Sequence, residues 1–213
     1  MRSRHLLAIL VCGAFATVAS AVNLQIIVQG LKIGTGEADI RSLPNGNVQF
    51  TISMNIQAQG IKAAYKATEI GRVDGMPVSE TESRDDNGTK TETVRIYGPK
   101  SVTIKITTGG QTTSKTVPYP KTGSIKTPSN AWFLKFKPKV GTTFTGWTLN
   151  DQTYKWEQET TTYTGDQEIL VAGKTVKAHL ITHTKGRMYL DDKGVPYRIE
   201  LNEGGSNIVM ERS

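Results

Sequence analysis

Two histidines, His179 and His183, have the spacing at which side chains on one face of a helix can bind a single zinc ion. The segment around them, TVKAHLITHT, alternates and is rich in β-branched residues, so it favours a strand. Four residues of a strand span about 13 Å, whereas zinc ligands lie only about 2 Å from the metal. We therefore predict that the two rings share a strand face, at the surface or at an edge, without sharing a metal ion.

Two glycine-containing segments resemble phosphate-binding loops but are incomplete. The run GKT begins at Gly173, yet Glu168 stands where a phosphate-binding loop needs its first glycine. The pair Gly34 and Gly36 is followed by Asp39 where a dinucleotide-binding fingerprint needs a third glycine. The sequence therefore predicts no nucleotide cofactor, and the GKT run is better explained as a hairpin turn.

Carboxylates and tryptophans are the remaining candidates for chemistry. Glu157 and Glu159 would share one face of a strand, but such pairs usually lie in solvent, so glycosidase chemistry is not expected. Trp132, Trp147 and Trp156 could stack on sugars, or they could fill a core or the wall of a pocket. We predict no catalytic residue, no cofactor and no metal site.

The elements that would position these residues are strands. Residues 47–59, NVQFTISMNIQAQ, are apolar at every even position and polar at every odd one. Thirteen residues would run about 43 Å, much longer than a common strand, so this one must bend to stay on a small core. Gly60 then offers a bulge or a turn, and the alternation continues through residues 61–67.

The same alternation recurs in residues 91–98, 101–108, 152–159 and 196–201, with Asn-Gly, Lys-Gly and Gly-Gly turns between such runs. Hairpin-connected strands of this kind form antiparallel sheets with one covered face, and ten or more strands in one sheet must curl. The prediction is an all-β fold, a single large curled antiparallel sheet forming a half-barrel or open barrel. It occupies one domain over residues 22–213.

Residues 117–141 interrupt this rhythm. Four prolines exclude a central strand, and Ser129 or Asn130 could cap a short helix over residues 131–134. We expect one or two short helices in a connection that crosses one mouth of the curled sheet. The segment also holds the densest group of lysines, Lys121, Lys126, Lys135, Lys137 and Lys139. This group is either a solvated face or a surface attracted to an acidic envelope.

The N-terminus carries a secretory pattern. Arg2 and Arg4 precede an apolar stretch over residues 6–18, and Ala19-Ser20-Ala21 supplies the small residues of a cleavage site. We predict a signal peptide over residues 1–21 and an exported protein, periplasmic or extracellular. Cys12 is the only cysteine of the chain, so no disulfide is expected after cleavage. The formal charge is +7, but the basic residues are scattered rather than clustered as in a nucleic-acid-binding arm.

The C-terminal third, EILVAGKTVKAHLITHTKGRMYLDDKGVPYRIEL, is similar to the closing hairpins of uncharacterised bacterial envelope domains. Those domains resemble the LolA/LolB-like lipoprotein-carrier half-barrels. The early run GLKIGTGEADI, followed by a long alternating strand, fits the same pattern. This resemblance implies a curled antiparallel sheet around an apolar cavity that binds acyl chains. No functional residue of the carriers maps onto a position of this chain.

The sequence thus predicts an exported, non-enzymatic protein that encloses an apolar or lipid-like ligand and binds no nucleic acid. The residues expected to line its cavity are Val48, Phe50, Ile52, Met54, Ile56, Tyr154, Trp156, Met188, Leu190 and Ile199. One alternative is a structural or glycan-binding surface module that uses the tryptophans. Another is an outer-membrane β-barrel, although 7% aromatic residues are few for two interfacial girdles.

Overall fold

The computed structural model describes residues 21–58, 60–72, 74–123, 125, 137–150, 153–203 and 206–213. These residues form one antiparallel sheet of 14 strands, which confirms the predicted all-β class. The strands are β1 (Val22–Val28), β2 (Leu31–Ser42), β3 (Val48–Ala58), β4 (Ile61–Gly71), β5 (Pro77–Asp86), β6 (Thr89–Tyr97), β7 (Ser101–Thr108), β8 (Gln111–Pro118), β9 (Thr143–Asn150), β10 (Lys155–Val171), β11 (Lys174–His183), β12 (Gly186–Leu190), β13 (Pro196–Glu203) and β14 (Ser206–Arg212). No helix in this part of the chain is long and apolar enough to cross a membrane.

The strand order is β8-β7-β6-β5-β4-β3-β2-β1-β14-β13-β12-β11-β10-β9. Strands consecutive in the chain are therefore neighbours, except for β8 and β9, which form the two edges. The first and last strands pair in the middle of the sheet, and the Ser213 amide donates to the Asn23 carbonyl at 3.1 Å. The sheet is an up-and-down meander interrupted once, at the proline-rich connection.

The antiparallel order gives the sheet two distinct ends. The turn end carries the connections 29–30, 59–60, 87–88, 109–110, 151–154, 184–185 and 204–205. The loop end carries the connections 43–47, 72–76, 98–100, 119–142, 172–173 and 191–195, together with the start of β1 and the end of β14. The long connection therefore belongs to the loop end.

The long alternating run ends in a hairpin. Strand β3 stops at Ala58 and β4 begins at Ile61, and Gly60 between them has a φ of +79°. Pairing of Ile52 with Ala67 and of Met54 with Tyr65 keeps the apolar positions of both strands on one face. We call the face that carries Ile52 the inner face of the sheet.

The inner face of β1–β4 and of β10–β14 forms a packed hydrophobic core, which we call the first core. Its buried members are Leu24, Ile26, Ala38, Ile40, Val48, Phe50, Ile52, Met54, Tyr65, Tyr163, Ile181, Met188, Leu190, Val195, Ile199, Leu201, Ile208 and Met210. Ile52, Leu190, Ile199 and Met210 are fully shielded from solvent. Because the chain has a single cysteine, burial of this apolar surface is the main stabilising term.

Glycines in strands allow the sheet to bend sharply around the first core. A Cβ atom on Gly34 would lie 2.3 Å from the Asn55 carbonyl oxygen of the neighbouring strand, and one on Gly186 would lie 2.1 Å from the Glu200 oxygen. No side chain fits at such distances, so glycine is needed where the backbones approach this closely. The two positions lie on either side of the central β1–β14 pair.

A second core joins the two edges of the sheet. Its members are Val102, Ile104, Val117 and Leu149, with Tyr97, Ile106, Tyr119, Tyr154 and Trp156 packed against them. The Trp156 indole N–H donates to the Pro118 carbonyl at 2.7 Å, and its ring meets Tyr119 edge-on at 5.8 Å. Side chains rather than a hydrogen-bonded ladder therefore hold the edges together in the described residues.

The strand register shows that these edges overlap. Ile104 lies on the inner face, because an unbroken register runs from Phe50 through β4, β5 and β6 to β7. Tyr163 of β10 faces the first core, and Trp156 lies an odd number of residues before it on the same strand, so Trp156 points to the outer face. Leu149 of β9 pairs with Trp156 and points the same way. The inner face of β7–β8 thus covers the outer face of β9–β10, as in a rolled sheet.

The predicted helices of the 117–141 connection are not found where the structure describes it. Residues 119–123, 125 and 137–142 form turns and irregular backbone. Pro118 ends β8, and Pro120 and Pro138 cannot donate backbone hydrogen bonds. The helix predicted over residues 131–134 lies outside the described residues, as do residues 1–20 of the predicted signal peptide.

Candidate functional site

Charged and phenolic side chains line the inner face of β4–β6, between the two cores. We call this surface the polar wall; it consists of Tyr65, Glu69, Glu80, Glu82, Arg84, Asp86, Arg95 and Tyr97. One transverse row of the sheet runs from Phe50 through Glu69, Glu80 and Arg95 to Ile104. The wall therefore separates the first core from the second core along a continuous inner surface.

Arg95 is the centre of the most buried part of the wall. This residue is only 6% exposed, and its Nη1 donates to Glu80 Oε2 at 2.8 Å. Its Nη2 lies 3.7 Å from Glu82 Oε2, and the Tyr97 hydroxyl donates to Glu80 Oε1 at 2.6 Å. Burial of an unpaired guanidinium would be very unfavourable, so these charge-assisted contacts are what allow an arginine inside the sheet.

The electrostatics keep both phenols of the wall neutral. Burial raises the pKa of Tyr97 well above its usual value, and the negative charge of Glu80 raises it further. Burial likewise raises the pKa of Tyr65, with Glu82 and Glu69 adding to the effect. Both hydroxyls therefore stay protonated at neutral pH, and that of Tyr97 donates to Glu80.

The wall is most exposed to solvent at the turn end. Along β5 the exposed side-chain fraction is 25% at Glu80, 24% at Glu82 and 27% at Arg84, and it rises to 44% at Asp86. Asp86 is the last residue of β5 before the 87–88 turn. Water thus reaches the inner face from the turn end, which it does not do in the first core.

Apolar residues beside the wall are also incompletely covered. Ile56, Ala63 and Ile106 lie on the inner face and are only half-buried, as is the polar Thr93 of β6. An open cavity of ≈ 900 Å³ also adjoins the turn end of β2–β5, but most of its lining strand residues, among them Asn55, Lys62 and Ala64, lie on the outer face. The inner surface is therefore packed on one side and accessible on the other.

The structure separates the ten residues predicted to line a cavity into two groups. Seven belong to the first core and are at most 4% exposed: Val48, Phe50, Ile52, Met54, Met188, Leu190 and Ile199. Ile56 is half-buried at the margin of that core. Tyr154 and Trp156 belong to the second core, on the overlapping edge.

The polar wall was not predicted from the sequence. In β6, alternation suggests that Val94 and Ile96 face inward, yet Ile96 is 50% exposed and Arg95 is buried. Strand β5 is polar at almost every position, so its pattern assigns neither face. The available signal was the repetition of Glu80 and Glu82 at strand spacing, opposite an arginine on the next strand.

The two histidines lie on one strand face without forming a metal site, and no group of possible metal ligands occurs in the described residues. His183 differs from the expected surface residue. Its Nε2 is buried without a hydrogen-bond partner, its Nδ1 lies 2.9 Å from Thr161 Oγ1, and burial lowers its pKa to about 4. His179 instead lies between Asp166 and Asp192, with N···O distances of 2.6 Å and 2.9 Å.

No family model and no curated protein matches this chain. Among solved structures, the fold is similar to the crystal structure of a β-barrel-like protein of domain of unknown function DUF1849 from Brucella abortus. The TM-score is 0.61 and the sequence identity is 8%, over 93% of this chain and 97% of that chain. At this identity the likeness shows the fold alone, which is that of an uncharacterised β-barrel-like domain.

Proposed function

We propose that this protein is an exported, non-enzymatic binding protein that holds an apolar or lipid-like ligand with a polar group inside its curled sheet. The observation that carries the proposal is the accessible inner face of β4–β7. Toward the turn end its side chains are half-buried, as at Ala63, Thr93 and Ile106. Nearer the loop end Arg95 and Ile104 of this face are buried, as are Phe50, Ile52 and Met54 of β3.

The chemistry of this face suits an amphiphile. The apolar groups of Ile56, Ala63 and Ile106 flank the wall, while Glu82 and Arg84 present charged groups at its centre. An apolar chain placed here would bury hydrocarbon against these flanks, and its polar group would exchange water for hydrogen bonds to the wall. The first core offers no such room because its residues already pack against one another.

The sequence resemblance to the LolA/LolB-like carriers lends support from a separate direction, since those half-barrels bind acyl chains within a curled sheet. The raised pKa values of Tyr65 and Tyr97 favour binding over catalysis. Export rests on the N-terminal pattern of residues 1–21, and N-terminal sequencing of the secreted protein should begin at Val22.

The test is native mass spectrometry and solvent extraction of the protein purified without detergent, combined with a pair of variants on β6. Thr93→Trp would fill the accessible inner face, whereas Ile96→Trp places the same ring on the outer face. We expect an extracted amphiphile in the unaltered protein and in Ile96→Trp, and at least about ten-fold less in Thr93→Trp. A folded protein that carries nothing and takes up no added fatty acid or phospholipid would refute the proposal.

A further inference from the structure

Charge is distributed unequally between the two ends of the sheet. The described residues of the loop-end connections include six basic residues and three acidic ones, whereas those of the turn-end connections include one basic residue, Lys185, and no acidic one. The described connections therefore carry a net charge of +3 at the loop end and +1 at the turn end, where Lys185 pairs with Glu159 at 3.0 Å. Such an asymmetry produces a directed field that attracts an anionic surface.

The acidic groups of the loop end are already engaged. Asp74 pairs with Arg72 at 3.4 Å, and Asp191 accepts from Arg212 at 3.0 Å. Asp192 lies 2.9 Å from the His179 ring. These contacts leave the lysines of the same end as its uncompensated charge.

Five lysines lie in the described part of the loop end: Lys193 beside Asp192, and four on the 98–100 and 119–142 connections. Lys100, Lys121, Lys137 and Lys139 are exposed, and none has an ion pair among the described residues. The Tyr119 amide donates to the Lys100 carbonyl at 3.0 Å, which joins the 98–100 connection to the start of the long one. Lys100 and Lys121 therefore belong to adjoining parts of one surface.

Large apolar side chains protrude at the same end. Val140 follows Lys139 and is 70% exposed, and Leu170, one residue before the end of β10, is 60% exposed. The turn that presents Val140 is held by the Thr142 amide donating to Lys139 at 2.9 Å and the Gly141 amide donating to Tyr163 at 2.8 Å. An exposed valine held in a fixed position next to a lysine is typical of proteins that bind membrane surfaces.

We propose that the loop end docks this protein on the surface of an anionic phospholipid bilayer. Lys100, Lys121, Lys137 and Lys139 contact headgroup phosphates, and Val140 and Leu170 enter the interfacial region. In this orientation the accessible end of the polar wall faces away from the bilayer. The proposal does not depend on the ligand-binding function, because it rests on the opposite end of the sheet.

The test measures co-sedimentation of the full chain with vesicles of phosphatidylcholine alone or with about one third phosphatidylglycerol. The variant replaces Lys121, Lys137 and Lys139 with Glu. The control replaces Lys66, Lys90 and Lys105 with Glu, so it changes the net charge by the same amount. These three lysines are exposed on the outer face of β4, β6 and β7. Every protein keeps the same N-terminal segment, so any contribution from that segment is common to all.

We expect binding to the anionic vesicles only, falling about 100-fold in the loop-end variant and less than about five-fold in the control. Val140→Ser should weaken binding by about five-fold without changing its dependence on salt. Equal losses in both triple variants would overturn the proposal, as would absence of binding to the anionic vesicles. Binding of heparin but not of vesicles would overturn it in favour of a soluble polyanion.

Discussion

Arg95 shows how a charged residue can be placed inside a sheet. Its guanidinium has two carboxylate neighbours, Glu80 and Glu82, and one of these also accepts from Tyr97. A buried ion pair contributes little net stability over an apolar replacement, but removal of one partner leaves the other charged in a poorly solvated place. The side chain therefore fixes the arrangement of the polar wall more than it stabilises the fold.

Replacement of Arg95 by Met should lower the free energy of unfolding by about 3 kcal/mol, because Glu80 and Glu82 lose their counter-charge. The double variant Arg95→Met/Glu80→Gln should recover at least about 1 kcal/mol of this loss. Urea denaturation at neutral pH measures both values. The exposed Lys105→Met serves as the control, and a cost for Arg95→Met no larger than that of the control would contradict the assignment.

His183 should make the stability depend on pH. Its pKa is about 4 in the folded protein against an ordinary 6.5, because burial disfavours the charged ring more than Glu159 favours it. Above pH 6.5 the ring is neutral in both the folded and the unfolded protein, so it causes no loss of stability. As the pH falls from 6.5 toward 4, the unfolded chain takes up a proton that the folded ring does not, and stability falls.

This loss should reach about 2 kcal/mol at pH 4.5. Asn in place of His183 keeps a polar atom near Thr161 but does not titrate in this range. Urea denaturation at pH 7 and pH 4.5 should therefore show a smaller loss of stability in His183→Asn, by about 2 kcal/mol. Identical pH profiles for the two proteins would show that the ring is free to ionise in the folded state.

At the scale of the elements, close backbone approach between β2 and β3 depends on Gly34. Gly34→Ala should destabilise the protein by about 3 kcal/mol or more, since its Cβ would meet a backbone oxygen at 2.3 Å. Gly46→Ala is the matched control, because Gly46 has a φ of +81° but open space around it. Only about 1 kcal/mol of backbone strain is expected there. Thermal and urea denaturation of both variants would show whether the steric term dominates.

The elements also show how far the sequence predicts this fold. Alternation predicts β3 well because its apolar and polar positions differ in every pair, and Phe50, Ile52 and Met54 are buried accordingly. It fails for β6, where a buried arginine pairs with glutamates whose strand is polar on both faces. The way β6 pairs with its neighbours determines which of its faces is buried, and the sequence of a single strand does not show that pairing.

The overlap of the two edges could not be predicted for a similar reason. The apolar positions Leu149 and Trp156 indicate that one face of β9–β10 is covered, but they do not indicate which part of the sheet covers it. The answer depends on how sharply the whole sheet curls, and hence on the glycines Gly34 and Gly186 far away in sequence. The candidate site was missed because it lies between the two surfaces that apolar patterning reveals.

At the scale of the whole molecule, the edge strands of the sheet are not the first and last strands of the chain. The first and last strands along the chain, β1 and β14, pair with each other in the centre of the sheet. The sheet ends at β8 and β9, which are consecutive in the chain. The covalent link between β8 and β9 therefore spans an interface made of side chains, while an unlinked pair of strands forms part of the central ladder.

A circular permutant would test whether the fold needs that covalent link. Joining Ser213 to Val22 by a short Gly-Ser linker and opening the chain within residues 126–136 preserves every strand pair of the described sheet. Its free energy of unfolding should lie within about 1 kcal/mol of the value for the unpermuted chain from Val22, because the linked termini are already adjacent. A permutant opened at 59–60 separates β3 from β4 beside the first core, and it should lose more stability because that closely paired hairpin must then form between distant segments. If opening within residues 126–136 proved the more damaging of the two, the connection would be an organising element of the fold and not a tether between its edges.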